Sequence, residues 1–395
     1  MAKAQIFTAT VSRGAEPVLV KELRRLGLQR VVEERGAVRF MGPLRDGLRA
    51  CLWSRVASRI LLRLSRFEAN SADALYEGLR AIDWASHMAP HGALWVDFVG
   101  TSRVIRNSQF GARLTKDAIV DTLRTPDGTR PRVDREHADV RVHVHLRHAV
   151  ATVSLDLSGQ ALHWRTPGRL VNEAPLKETL AATLLMLCDW PTLARDGAPF
   201  IDPMCGSGTL LLEAAGIARD LAPGLQRPPA RWGFTRWRGH DPECWRELIR
   251  EARARAEAGQ RAPSRLQGAD IDPASVRITR RNAQRIGLHG LQIRQAPLSA
   301  LQRPDGAPGL LVTNPPYGER LDDDVVALYP RLGDLLRRRM LGWSAGVLVP
   351  AGPLSKKIGL RTSNRHILFN GPLECRLLTF AISELAPRGE KPPRD

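Results

Sequence analysis

The sequence predicts an α/β protein in which two smaller α+β units precede a mainly parallel sheet. From Glu173 onward, apolar strand-like runs alternate with helical segments, an order typical of a doubly wound sheet. Upstream of residue 166, each of two stretches mixes helical spacing with strands that alternate polar and apolar residues. The segment Pro167–Asn172 interrupts both patterns and is interpreted as a linker.

These patterns divide the chain into domains over 1–66, 67–165 and 166–386, followed by a polar, proline-rich tail over 387–395 that we expect to be disordered. Upstream of the linker, the predicted elements are Ile6–Val11, Glu16–Leu26, Val31–Glu33, Ala37–Phe40, Leu44–Cys51, Arg59–Phe67, Ala72–Ile82, Ala93–Val99, Gln109–Leu123, Ala138–Arg147 and Ala149–Leu157.

The composition is that of a globular protein of 395 residues, with 43% hydrophobic and 25% charged residues. It excludes a disordered chain and a disulfide-stapled miniprotein. No apolar run approaches the roughly 20 residues that a membrane span needs, and no signal peptide is visible. The five cysteines form no CxxC pair, so we expect a reduced, cytoplasmic protein without a structural metal.

The chain is strongly basic, with 59 Lys and Arg against 41 Asp and Glu and a net charge of +18. Such an excess favours a polyanionic partner, most often nucleic acid. A genome that favours arginine codons would explain the preference for arginine over lysine, but not the shortage of acids. Because basic residues occur along the whole chain, charge alone locates no binding face.

A glycine-rich turn is the first motif that indicates chemistry. A short apolar strand ends at Asp202 and leads through Gly206-Ser207-Gly208 into an apolar helix that begins near Thr209. Glycines let the backbone approach a ligand closely, and the helix N-terminus offers free N–H groups. A dinucleotide fingerprint would need glycine near Leu211, and the GK[ST] of a Walker loop is absent. The turn therefore fits another nucleotide-like ligand.

A second strand ends in the acid Asp270, followed by Ile271 and a helix over Ala274–Arg285. An acid at this point of a doubly wound sheet binds ribose hydroxyls. Asp270 lies 68 positions after Asp202, whereas about 20 residues after the glycine turn is usual. A long insertion therefore separates the two motifs. Its aromatic residues either form a substrate platform or pack the insertion onto the domain; they are Trp232, Phe234, Trp237 and Trp245.

The most specific motif is Asn314-Pro315-Pro316-Tyr317, which follows an apolar strand. Two prolines fix the backbone, so the Asn314 side chain and the Pro315 carbonyl are held rigidly. Both offer oxygen acceptors that suit a planar amino group. Tyr317 supplies a flat ring on which a base can stack. A merely rigid turn would leave the tyrosine and the asparagine unexplained.

In this order, the three motifs resemble those of class I S-adenosylmethionine-dependent methyltransferases that modify exocyclic amines. The flanking segments Glu173–Ala182 and Glu319–Leu321 resemble the THUMP-containing guanine-N2 RNA methyltransferases, and among them the bacterial 23S rRNA enzymes. The resemblance implies a Rossmann-like methyltransferase domain preceded by ferredoxin-like and THUMP domains. Some relatives carry a second, fused methyltransferase domain, for which we expect no room here.

The resemblance also implies roles for individual residues. Asn314 and Pro315 would accept hydrogen bonds from the target amine, and Tyr317 would stack on the base. The cofactor S-adenosylmethionine would be bound by Asn314 and by residues of the two preceding motifs, namely Asp202, Cys205, Gly206, Gly208, Thr209, Asp270 and Ile271. Two departures from the family pattern stand out. No acid lies near Pro297, where the family holds the adenine amine, and the segment His163–Arg169 differs from the usual linker.

Several alternatives remain at this stage. The RNA could be tRNA instead of large-subunit rRNA, and Asn-Pro-Pro-Tyr also serves N6-adenine methylation of nucleic acid. An RNA-binding assembly factor without catalysis is a hypothesis of another class. Cys205 could act as a covalent nucleophile, but it fits better as a small residue of the cofactor turn. The histidines His143, His145 and His148 invite a zinc interpretation, although their strand-like alternation favours a solvated face.

Overall fold

The computed structural model describes residues 4–171, 176–260, 265–317 and 323–383. The segments Glu173–Pro175 and Glu319–Leu321, which support the family resemblance, and the predicted tail lie outside them. The strands are β1 (Gln5–Thr10), β2 (Gln29–Glu34), β3 (Ala37–Gly42), β4 (Arg59–Glu68), β5 (Ala93–Val99), β6 (Arg132–Val133), β7 (Val140–Arg147), β8 (Val150–Asp156), β9 (Phe200–Asp202), β10 (Leu266–Asp270), β11 (Gln292–Gln295), β12 (Leu310–Thr313), β13 (Ser344–Pro350), β14 (Asn364–Asn370) and β15 (Leu373–Ala381).

The helices are α1 (Glu16–Arg25), α2 (Leu44–Trp53), α3 (Ala72–Arg80), α4 (Ser108–Leu123), α5 (Glu178–Leu187), α6 (Trp190–Arg195), α7 (Thr209–Ala218), α8 (Pro242–Gly259), α9 (Pro273–Arg285), α10 (Asp323–Arg339) and α11 (Leu354–Lys357). Within the described ranges, no helix is both long and apolar enough to cross a membrane. The chain forms two compact units. The first comprises residues up to 167 together with 222–254, and the second comprises 168–221 and residues from 255 onward.

The first unit is built on an eight-stranded sheet with the order β2-β3-β1-β4-β8-β7-β5-β6. Buried and exposed residues alternate along its strands, so one face of the sheet belongs to the core. In β7, Val142 and Val144 are buried, whereas His145 and Arg147 are exposed. Helices α1 to α4 pack against the sheet strands, and the Phe7 and Phe40 rings stack at 5.1 Å on the buried face. The two predicted α+β units thus contribute strands to a single sheet.

The insertion between the glycine turn and Asp270 packs within the first unit, although the sequence places it inside the 166–386 range. Trp232, Phe234 and Trp237 are buried, and the Trp237 Nε1–H donates a hydrogen bond to His87 Nδ1 at 3.0 Å. Trp245 lies edge-on against Phe234, with ring centroids 4.8 Å apart. Burial of Trp232, Phe234 and Trp237 removes them from the role of an open substrate platform and supports the packing interpretation.

The second unit contains a seven-stranded sheet with the order β11-β10-β9-β12-β13-β15-β14. Strands β9 to β13 pair in parallel, and β15 runs antiparallel to both β13 and β14. This confirms the predicted α/β class with a mainly parallel sheet. The chain moves outward from β9 through β10 to β11 and resumes on the other side of β9 with β12. Ligands of such sheets bind at the carboxyl ends of the strands around this switch point.

Candidate active site

The glycine turn connects the end of β9 to the start of α7. Gly206 and Gly208 both have positive φ, at 53° and 85°. A Cβ at Gly208 would lie 2.7 Å from Thr279 Cγ2, so α9 leaves no room for a side chain there. The Thr279 hydroxyl donates a hydrogen bond to the Gly206 carbonyl at 2.7 Å. Helix α9 therefore braces the turn and holds the N–H groups at the start of α7, near Thr209, in a fixed place.

Asp270 lies beside this turn despite its distance along the chain. Strands β10 and β9 pair with Gly268 opposite Asp202, so both strands end at the same edge. The Asp270 carboxylate accepts the Gly206 N–H at 2.8 Å and the Asp272 N–H at 3.0 Å. These bonds orient the carboxylate at the switch point. The next residue, Ile271, is 69% exposed, which is consistent with an apolar surface that a bound ring could cover.

Asp202 is buried beneath the turn, at 1% exposure. Its carboxylate accepts a hydrogen bond from the Thr313 hydroxyl at 3.0 Å and a longer one from the Met204 N–H at 3.3 Å. Burial raises the pKa of Asp202 to about 7, and the nearby Asp270 carboxylate acts in the same direction. The side chain thus links β9 to β12, the strand that presents the Asn-Pro-Pro-Tyr motif.

We expect Asp202→Asn to raise the melting temperature by several degrees at about pH 8 and to change it little at about pH 4. The pKa of Asp202 is about 7 when folded and 3.8 ordinarily, so the unfolded chain loses this proton first. Wild-type stability therefore falls as pH rises through this window, and asparagine removes that penalty while still accepting from Thr313. Thermal unfolding without cofactor at both pH values measures the difference. An equal shift at both would contradict the assignment.

The Asn-Pro-Pro-Tyr motif begins directly after β12. The Asn314 Oδ1 atom is buried and accepts no hydrogen bond from any residue that the structure describes. Pro315 is buried, and the Pro316 carbonyl accepts a hydrogen bond from the Tyr329 hydroxyl at 3.3 Å. A buried amide oxygen without a donor is costly, unless a ligand supplies one. The motif therefore presents an unsatisfied acceptor at the edge of the sheet where β9, β10 and β12 end.

Tyr317 is held at its hydroxyl. The Asn370 side-chain amide at the end of β14 donates a hydrogen bond to this oxygen at 3.1 Å. Burial raises the pKa of Tyr317 to about 12, so the phenol stays neutral at physiological pH. An anchored, uncharged ring suits stacking better than acid–base chemistry. Its role towards a target base stays a prediction.

Cys205 lies within the glycine turn and is buried. Its Sγ atom is 3.8 Å from the Thr279 hydroxyl. Burial, with the Asp202 and Asp270 carboxylates, raises the pKa of the thiol far above its ordinary value. A protonated thiol is a poor nucleophile. The environment therefore opposes covalent catalysis by Cys205 and is consistent with a small residue that packs in the turn.

Arg169 is a site residue that the sequence reasoning missed. Its side chain is only 9% exposed and forms an ion pair with Glu178. The guanidinium also contacts the hydroxyls of Thr209 and, at 3.4 Å, Ser207, while its Nε has no acceptor among the described residues. It thus places a positive charge beside the start of α7. One arginine in a chain with so many carried no signal that could have singled it out.

Among the residues that the structure describes at the end of β11, near Pro297, none is the acid that the resemblance implies. Strand β11 ends at Gln295, whose side-chain amide donates a hydrogen bond to the Ile271 carbonyl at 3.3 Å. The Ala296 N–H, directly after β11, donates a hydrogen bond to the Asp270 carbonyl at 3.0 Å. Gln295 thus places a polar side chain next to Ile271. Over the described ranges, no group of three His, Cys, Asp or Glu is arranged to hold a metal.

Three family models match successive parts of the chain. The RlmL ferredoxin-like domain matches residues 6–61, the THUMP domain matches 69–156, and the RMKL-like methyltransferase domain matches 167–379. The order agrees with the domains that the sequence resemblance implied. The third model includes all the predicted site residues.

Curated relatives share substantial identity along almost the whole chain. The ribosomal RNA large subunit methyltransferase K/L of Ectopseudomonas mendocina is 45% identical over 392 residues, which cover 98% of this chain and 54% of that protein. The protein of the same name from Methylococcus capsulatus is 45% identical over 379 residues, covering 95% of this chain and 51% of its own length. The chain spans about half the length of the curated relatives it matches.

Solved structures extend the similarity to three dimensions. A putative methyltransferase, SMU.472, complexed with SAH has a TM-score of 0.85 at 30% identity, covering 98% of this chain and all of that one. A predicted N6-adenine-specific DNA methylase from Listeria monocytogenes has a TM-score of 0.83 at 30% identity, covering 96% of each chain. TrmN from Thermus thermophilus shares the fold, with a TM-score of 0.68 at 21% identity and coverage of 95% and 99%. The chain therefore belongs to the RMKL-like methyltransferase family and combines its ferredoxin-like, THUMP and class I methyltransferase domains.

Proposed function

We propose that this chain transfers a methyl group from S-adenosylmethionine to the exocyclic N2 amine of a guanosine in 23S rRNA, in the cytoplasm. The observation that carries the proposal is the buried Asn314 Oδ1, which lacks a donor among the described residues beside the glycine turn. The names of the curated relatives support large-subunit rRNA as the substrate. We also propose that the chain is divided into domains over 1–66, 67–165 and 166–386.

The residues at the strand ends fit the cofactor. Asp270 would bind the ribose hydroxyls, and the exposed Ile271 would pack on the adenine. The glycine turn, with Asp202 beneath it, would receive the methionine part; the turn residues are Cys205, Gly206, Gly208 and Thr209. Arg169, although paired with Glu178, holds its guanidinium where a carboxylate near the α7 N-terminus would lie. The neighbour SMU.472 was crystallised with SAH, which supports this ligand class.

The chemistry asks little of the protein beyond positioning. Held by the glycine turn and Asp270, the cofactor would supply an activated methyl group on sulfur. The N–C bond would form as the S–C bond breaks, and the amine would then lose a proton to water. An exocyclic amine is a weak nucleophile because its lone pair is delocalised into the ring. Acceptors at Asn314 and the Pro315 carbonyl would orient the amine and stabilise its developing positive charge. A duplex base cannot enter such a site, so the target would be unpaired or flipped out.

Two other substrates remain candidates. Guanine-N2 methylation of tRNA would use the same site with another RNA. N6-adenine methylation of nucleic acid is favoured by a specific observation, since the Listeria monocytogenes neighbour is described as a predicted N6-adenine-specific DNA methylase. The THUMP domain favours RNA over DNA. Both alternatives keep Asn314, Pro315 and Tyr317 in the same roles.

The decisive experiment offers labelled S-adenosylmethionine with total rRNA, ribosomal precursors, tRNA or DNA and then identifies the labelled nucleoside by digestion and chromatography. We expect N2-methylguanosine from large-subunit rRNA, either naked or in ribosomal precursors. Label in tRNA would retain the mechanism and replace the substrate. Label in N6-methyladenine would refute guanine as the target base. If no label forms although calorimetry detects cofactor binding, methyl transfer to these nucleic acids is refuted.

A further inference from the structure

The sheet of the first unit has an open face opposite the helices. Side chains from β1 to β5, β7 and β8 line a concave depression of about 950 Å³ on this face. The depression extends from the turn between β2 and β3 to the turn between β7 and β8. It therefore joins strands from the ferredoxin-like part to strands from the THUMP part of the same sheet.

This face concentrates positive charge that the sequence spreads evenly. Its lining contains one acid, Glu34, and that acid forms an ion pair with Arg39, with the two atoms 2.8 Å apart. Its other arginines include Arg63, Arg66 and Arg147. Among the residues that the structure describes, none forms an ion pair with these three arginines. Partial burial, followed by repulsion from Arg39 and Arg66, lowers the pKa of Arg63. Clustered like charges that outnumber their counter-ions are costly in the free protein, and a bound polyanion relieves that cost.

The arginines are too far apart for one small anion. Arg39 lies on β3 and Arg147 on β7, which are separated by four strand spacings in the sheet. At roughly 4.8 Å per spacing, they lie about 19 Å apart across the sheet. Arg63 and Arg66 on β4 occupy intermediate positions. An extended polymer with repeated phosphates matches this arrangement, whereas a single phosphate or nucleotide reaches only one part of it.

The remaining side chains favour a backbone ligand over stacked bases. Among the described residues that line the depression, none is Phe, Tyr or Trp, so unpaired bases find no stacking platform. Thr8, Thr10 and Thr152 instead offer hydroxyls suited to phosphate and sugar oxygens. Burial lowers the pKa of His143 to about 4, so this histidine is neutral near pH 7 and the arginines supply the charge. Recognition of an RNA helix by shape uses this set of contacts.

We propose that the open face of the eight-stranded sheet binds the sugar–phosphate backbone of a helical RNA segment, without reading its sequence. The proposal rests on the proposed function for the class of ligand and adds the surface that recognises it. Because the surface includes β1, β3 and β4, the ferredoxin-like part takes a direct share in binding. The THUMP part alone would then hold only part of the contact.

The test compares two charge-matched variants of the full chain. In the first, Arg63, Arg66 and Arg147 are replaced by glutamine. In the control, glutamine replaces three arginines on helices α1, α3 and α4; these are Arg25, Arg80 and Arg113. Fluorescence anisotropy measures binding of a labelled RNA hairpin of about 16 base pairs at several salt concentrations.

We expect the sheet-face variant to bind the hairpin roughly 100-fold more weakly than wild type near 150 mM salt. The slope of log K against log salt should also fall by about 2 to 3, one unit for each lost phosphate contact. The control should change affinity by less than about 3-fold. Equal losses in both variants, or no loss in the first, would overturn the proposal.

Two further measurements distinguish a loss of charge from a loss of folding, and binding of helical RNA from binding of single-stranded RNA. Replacing the same three arginines by lysine should keep most of the affinity, because phosphate contacts need charge more than a bidentate fork. Loss of binding with lysine would oppose a charge-based contact. A uridine single strand of the same length should bind more weakly than the hairpin, and equal or tighter binding would refute the preference for a helix. Hairpin binding requires no methyl transfer, so this proposal and the proposed activity can fail separately.

Discussion

Replacing Asn314 with alanine is expected to lower the single-turnover rate of methyl transfer by about 10³-fold. Asn314 Oδ1 is buried and has no donor among the described residues, so its removal deprives an incoming amine of the acceptor that orients it. The same acceptor would stabilise the positive charge on nitrogen in the transition state. Labelled S-adenosylmethionine with substrate RNA in single-turnover conditions measures the rate, and hairpin anisotropy measures RNA affinity.

We expect Asn314→Ala to lose rate while its RNA affinity stays within about 3-fold of wild type, because phosphate contacts supply most of that affinity. Asn364→Ala is the matched control, since Asn364 is an exposed asparagine on β14 of the same unit. It should retain wild-type transfer. If Asn314→Ala lost RNA affinity in proportion to its loss of rate, Asn314 would have a structural role. The same would follow if the variant's melting temperature fell so far that unfolding accounted for the lost activity. Direct action on the amine would then be refuted.

Local patterns predicted most of the elements, because periodicity reflects which face of an element is buried. The strand predicted over Ala93–Val99 has the same bounds in β5, and the helix predicted over Glu16–Leu26 ends one residue earlier in α1. Strand order is not a local property. Nothing in the pattern of either predicted unit indicates that β4 pairs with β8, which merges the two units into one sheet. That merger creates the open face on which the arginines cluster.

The insertion shows the same limit. Its aromatic spacing indicated packing, but a run such as Trp232 to Trp237 does not encode which surface it covers. The contacts that place it in the first unit, such as the Trp237 bond to His87, join residues far apart in sequence. Hydrophobic burial is non-directional, so composition predicts that rings are buried and leaves their partner undetermined.

The candidate site was predictable where a motif lies within one connection, as in the turn after β9 and the residues after β12. The supporting side chains were not. Thr279 braces the turn from α9, Thr313 holds Asp202 across the sheet, and Arg169 reaches the start of α7 from outside every motif. Each makes an ordinary hydrogen bond or ion pair that depends on strand and helix placement. Single threonines and arginines are too common for sequence to mark them.

Gly208→Ala is expected to weaken cofactor binding by at least about 100-fold, measured by calorimetry with S-adenosylmethionine. Gly208 has a φ of 85°, which costs alanine roughly 1–2 kcal/mol. The new Cβ would also lie 2.7 Å from Thr279 Cγ2. Thr279 must then move, and its hydrogen bond to the Gly206 carbonyl moves with it. The turn that would receive the methionine part of the cofactor therefore loses its shape.

Gly197→Ala separates crowding from backbone strain. Gly197 lies in the same unit with a φ of 74°, yet nothing lies within 4 Å of the Cβ that alanine would add there. Both variants therefore place alanine in a left-handed backbone conformation. Thermal unfolding should show that the free energy of unfolding falls by at least about 1 kcal/mol in each. Only Gly208→Ala crowds α9 against the turn, so only it should lose affinity for the cofactor. Equal affinity in the two variants would mean that the cofactor does not depend on the turn geometry, and the assignment of Gly206, Gly208 and Thr209 would fail with it.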